Sequence, residues 1–158
     1  MYKAHTAPTV TMLCLLVLSC GSSTVQRTWP PSAAMLVAVD LGVDRAGLTQ
    51  EGDAMALLEG PPSGPITELT HYPNRPDRTT IYLISSGGTG VGTYPTFVFG
   101  NAPTRASRVE LALPGAIGAV QSGFFLIAIP RTDVKPGDLH WSFFSESGLV
   151  AQGDGIRS

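Results

Sequence analysis

The stretch RVELALPGAIGAVQSGFFLIAI, residues 108–129, carries the clearest strand and turn signals of the chain. Its first six residues alternate, which puts Val109, Leu111 and Leu113 on one face of a strand. Pro114-Gly115 then fits the two middle positions of a type II turn, proline fixing φ and glycine accepting a positive one. Ile117 to Val120 returns as the hairpin partner. Phe124 to Ile129 follows as an unbroken apolar run, the pattern of a strand covered on both faces.

The flanking segments extend the pattern. Downstream, Pro136-Gly137-Asp138 turns the chain, and Leu139, Trp141 and Phe143 then alternate with His140, Ser142 and Phe144. This predicts Trp141 and Phe143 in the core and His140 facing outward. Glu146-Ser147-Gly148 closes a last hairpin into Leu149-Val150-Ala151. Upstream, TYPTFVF (93–99) and TTIYLI (79–84) are rich in β-formers, and Pro95 marks an edge. AAMLVAV (33–39) is a further strand. TQEGDAMALLE (49–59) reads two ways: a short helix capped by Thr49 and ended by Gly60, or a strand through Met55 to Leu58. GPPSGP (60–65) is a break.

The 18 glycines and 13 prolines, with only 14% charged residues, favour short strands and turns over long helices. Strands spaced about ten residues apart predict a mainly β chain, an antiparallel β-sandwich or small barrel with a C-terminal meander. That domain is expected over residues 33–158, after an N-terminal signal helix (1–19) and a flexible linker (20–32). Its size suits one domain rather than two.

The N-terminal reading rests on Val10 to Leu18, an apolar run of nine residues behind Lys3. A membrane-spanning helix needs ~20 apolar residues, so this run has the length of a secretory signal core instead. Val17-Leu18-Ser19-Cys20 follows directly and resembles a bacterial lipobox, with Leu18 as its one departure from the usual small or β-branched residue. The resemblance implies cleavage after Ser19 and lipid modification of Cys20. Two or three acyl chains anchor a protein stably, at ~0.8 kcal/mol per buried CH₂. Ordinary secretion, with a cut after Ser22, is the competing reading. Cys14 lies within the signal, so with Cys20 acylated no thiol remains for a disulfide, a nucleophile or zinc. Trp29 suits either a headgroup interface or packing on the domain.

Asn101 to Gly155 resembles the C-terminal β module of uncharacterised exported or membrane-anchored proteins of actinobacteria. The matching motifs are Arg108-Val109-Glu110-Leu111, Gly123-Phe124-Phe125-Leu126 through Pro130, and the hairpin Trp141 to Val150. The turn Ser145-Glu146-Ser147-Gly148 departs from the acidic turn of that module. The resemblance covers about a third of the chain and implies a fold, with no activity attached.

Chemical signatures are sparse. SSGGTGVG (85–92) has neither the lysine nor the glycine spacing of a phosphate loop and reads as a loop between two strands. His71, read as a loop residue, and His140 lie far apart in sequence. Asp40 and Asp44 lack the alternating ligands of a calcium loop. No catalytic, cofactor-binding or metal-ligating set is expected. Phe124, Phe125, Trp141, Phe143 and Phe144 read as core, while an exposed Phe125 or Phe144 would mark a binding patch. The formal net charge of −2 and a single lysine beyond the signal, Lys135, argue against nucleic acid. Arg75, Arg78, Arg105, Arg108 and Arg131 are scattered and read as solvated positions.

These features lead to one expectation. The chain is a lipoprotein on the cell membrane or outer membrane, facing outside the cytoplasm, and a non-catalytic binding or scaffolding module for an envelope protein or ligand. The alternatives are an exported hydrolase using carboxylates assembled by the fold, and a secreted inhibitor or ligand carrier.

Overall fold

The computed structural model describes residues 27–85, 96–130 and 133–156. The proposed signal, Cys20 and most of the glycine-rich loop lie outside the described residues. Two antiparallel sheets form the fold, as the strand spacing predicts, and one of them curls into a half-barrel.

The first sheet is a simple meander of β1 (Met35–Asp40), β2 (Arg45–Glu51), β3 (Ala54–Gly60) and β4 (Thr67–Pro73). The ambiguous segment 49–59 is thus a hairpin, turned by Gly52-Asp53. Its inner face carries Val37, Leu48, Met55 and Leu57. Its outer face carries a smaller apolar cluster of Ala56, Leu58 and Ile66, covered by Trp29. The Trp29 indole donates to the Pro61 carbonyl at 2.7 Å, with the Arg45 guanidinium above the ring. Arg27 pairs with Ile66 through two backbone hydrogen bonds. Residues 27 and 29, within the segment read as linker, are therefore fastened to this sheet.

The second sheet contains β5 (Tyr82–Ser85), β6 (Thr96–Asn101), β7 (Arg108–Leu111), β8 (Ile117–Gln121), β9 (Phe124–Ile129), β10 (His140–Ser145) and β11 (Gly148–Asp154). Their spatial order is β11-β10-β7-β8-β9-β6-β5. Gly115 has φ +74 and the Ala116 amide donates to Leu113, as the expected type II turn requires.

The run Phe124 to Ile129 is buried on both faces because the sheet curls over it. Phe124 and Leu126 join Phe97 and Phe99 of β6 against the first sheet. Phe125, Ile127 and Ile129 point the other way, into a second core with Val109, Leu111, Leu139 and Phe143. Phe125 and Phe143 meet edge to face at 5.3 Å. Alternation in β10 holds, since Phe143 is fully buried and His140 is exposed. Trp141 differs from expectation: it is half-buried at the rim of this core, where its indole donates to the Gly155 carbonyl.

Candidate functional site

The two histidines stay apart. His71 lies on β4, an edge strand of the first sheet, and not in a loop. Its ring bonds Glu68, which also takes an ion pair from Arg27. His140 lies on the second sheet and bonds Asp154, its cross-strand partner. Both pairs are exposed. Asp40 accepts the Gly42 amide at 2.8 Å, so it shapes the β1–β2 turn. Among the described residues, no group of three or more His, Cys, Asp or Glu is arranged to hold a metal ion. Phe125 is wholly buried, and Phe144 lies half-buried under the Arg108 guanidinium, 4.8 Å from its ring centre. Neither phenylalanine forms the exposed patch considered from the sequence.

Glu59 is a polar group on the inner side of β3, following Met55 and Leu57 in alternation. Its Oε1 is buried and has no hydrogen-bond partner among the described residues. Burial pushes its carboxyl above the ordinary value of 4.5, and the nearby Asp44 carboxylate pushes it the same way. The folded state therefore favours protonated Glu59. That stability is fully present below pH 4.5 and is lost as pH rises through the raised value. Glu59→Gln is expected to unfold at a higher urea concentration than the wild type at neutral pH. The advantage should shrink towards pH 4.5 and below. A constant difference across that range would show that Glu59 does not titrate as described.

One groove arises where β8 leaves β9. These strands pair only through Val120–Phe125 and Gln121–Phe124, while residues 117–119 follow β7 instead. The gap is bounded on its other side by β1, which pairs with β2 alone among the described strands. The resulting groove has a volume of about 240 Å³. Val37, Val39, Ile117, Leu126 and Ala128 supply an apolar lining, and Asp40 and Gln121 add polar side chains. Ile117 is 60% exposed, unusual for a large apolar side chain on a strand, because it stands at this opening. Sequence reasoning missed the groove, since hairpin signals specify turns and not the point at which paired strands separate.

A second concavity lies beside the β8–β9 turn, between Ser122-Gly123 and the loop Ala102 to Ala106, with a volume of about 340 Å³. Its floor includes Asn101, a buried polar residue hydrogen-bonded through both its side-chain oxygen and its side-chain nitrogen. Asn101 Oδ1 accepts from the Thr80 hydroxyl and the Arg75 amide, and Nδ2 donates to Asn74. No family profile, curated protein or solved structure matches the chain.

Proposed function

We propose that the chain is an extracytoplasmic lipoprotein, anchored through acyl groups on Cys20, whose β domain is a non-catalytic binding or scaffolding module of the cell envelope. The observation that carries this reading is the apolar run Val10 to Leu18 placed directly before Ser19-Cys20. The C-terminal likeness to exported actinobacterial modules agrees with the same address. No helix among the described residues is long and apolar enough to cross a membrane. The β1–β8–β9 groove favours binding over chemistry, because it offers apolar side chains and strand edges, the means by which modules take up extended segments.

A short tether follows from the same reading. Arg27 is already paired to Ile66, and it lies only seven residues beyond Cys20. Fully extended, that length spans at most about 25 Å. The domain is thus held close to the bilayer, with the outer face of its first sheet nearest the anchor.

Metabolic labelling with a fatty-acid analogue tests the anchor in a bacterial host. The wild-type chain is expected to carry the label and partition into detergent, and Cys20→Ala is expected to lose it entirely. An unlabelled wild type, or label retained by Cys20→Ala, would overturn the lipoprotein reading.

A further inference from the structure

Two turns of this fold share one geometry and differ in one residue. In Leu113-Pro114-Gly115-Ala116 the third position is glycine with φ +74, and the fourth amide donates to the first carbonyl at 3.1 Å. In Pro103-Thr104-Arg105-Ala106 the same hydrogen bond is 3.1 Å and the third position has φ +73, but the residue is arginine. Glycine is the ordinary choice there because a side chain is strained at positive φ. Strained residues of this kind gather at functional sites.

Arg105 lines the 340 Å³ concavity beside the Ser122-Gly123 turn. Ser122, also non-glycine, has φ +51 on the facing wall. Among the described residues Arg105 makes no ion pair or side-chain hydrogen bond, unlike Arg78 with Asp77 and Arg108 with Glu110. Arg75 immediately precedes Pro76 of the lining, and its amide is held by the buried Asn101. The one acid on that loop, Asp77, is occupied by Arg78. Arg105 is the one charged residue of the cavity lining among the described residues, in a chain whose net charge is negative. Pro76, Pro103 and Phe124 give the cavity apolar walls, and Thr104 and Ser122 bring hydroxyl groups.

We infer that this cavity binds an organic carboxylate, with the Arg105 guanidinium as its charged clamp and the proline and phenylalanine walls against its apolar body. A single planar guanidinium matches a carboxylate through two parallel hydrogen bonds. The left-handed backbone at residue 105 is retained because it carries that side chain to the cavity. The ligand is either a free small carboxylate or the carboxyl end of a polypeptide, since both present the same group.

The test is calorimetric titration of the full chain with sodium benzoate, with N-acetyl-Ala-Ala and with the C-terminal amide of that peptide. At least one carboxylate is expected to bind saturably, and the peptide amide at least tenfold more weakly than the peptide acid wherever the acid binds. Preference for benzoate identifies a free carboxylate as the ligand class, and preference for the peptide acid identifies a chain end. Arg105→Gln should weaken binding tenfold or more. Arg105→Gly should lose binding while its urea midpoint rises, because glycine relieves the strained turn. Equal binding of acid and amide, no binding of either carboxylate, or unchanged affinity in Arg105→Gln would overturn the proposal. So would a lower urea midpoint for Arg105→Gly, which would make Arg105 a structural residue.

Discussion

Phe125→Ala is expected to remove about 3–5 kcal/mol of stability, as for a large aromatic deleted from a closed core. The side chain is fully buried on the concave side of the curled sheet, edge-on to Phe143. Neighbours from β7 and β10 surround it, joined to β9 through β8 and not directly. Backbone pairing limits their freedom to close in, so much of the vacated volume remains a cavity. Phe143→Ala should lie in the same range. A double-mutant cycle between the two should show about 0.5–1.5 kcal/mol of coupling from their edge-to-face contact. Trp141→Ala should cost less than either, because Trp141 is only half-buried. Urea unfolding measures all three. A cost below that of Trp141→Ala for Phe125→Ala would mean that the second sheet does not curl over β9 as described.

Gly100→Ala is expected to be as damaging as the loss of a core aromatic, at about 3 kcal/mol or more. Gly100 has φ +154, and a Cβ there would run into the carbonyl oxygen of Thr80. The obstacle is backbone, so no rotamer change relieves it. Nor can Thr80 easily withdraw, because its amide donates to the Asn101 carbonyl and its hydroxyl accepts the Asn101 amide. Gly115→Ala is the internal comparison. It also has a positive φ, but open space surrounds its missing Cβ, so only the local backbone penalty of about 1 kcal/mol applies. Similar unfolding midpoints for the two variants would show that the Thr80 approach is not rigid.

The C-terminal half was legible because its turns and its periodicity agree. Pro114-Gly115 fixes one hairpin, and the alternation from Leu139 to Phe143 sets the face of β10. The unbroken run in β9 correctly signals two-sided burial, though here both coverings come from antiparallel strands. The first sheet was harder. Ala46 to Thr49 are all buried, since the second sheet covers one face and Trp29, Met35 and Ile66 lie near the other. Small residues covered on both sides leave no alternation to read. Glu51 and Asp53 also suit the acidic first turn of a helix, and the polar residues ahead of Gly52-Asp53 weaken its hairpin signal. In β4 the sequence TELTHYP is too polar to stand out as a strand; it is an edge with several exposed positions. Arg105 was beyond sequence reasoning for a different reason. Its significance lies in a dihedral angle, and Thr104-Arg105 carries none of the residues that announce a positive φ.

The fastening of Arg27 and Trp29 has a mechanical consequence. β1 is an edge strand, and an edge strand pulled from its own end peels away one hydrogen bond at a time. A pull on the N-terminus does not reach β1 first. It meets the paired backbone of Arg27 and Ile66, then the indole held against Pro61, both on or beside the connection between β3 and β4. Tension is diverted across the sheet before it can unzip the edge. The chain thus carries a strain relief ahead of its first strand, so that tugging at the leash loosens the clasp before it opens the fold.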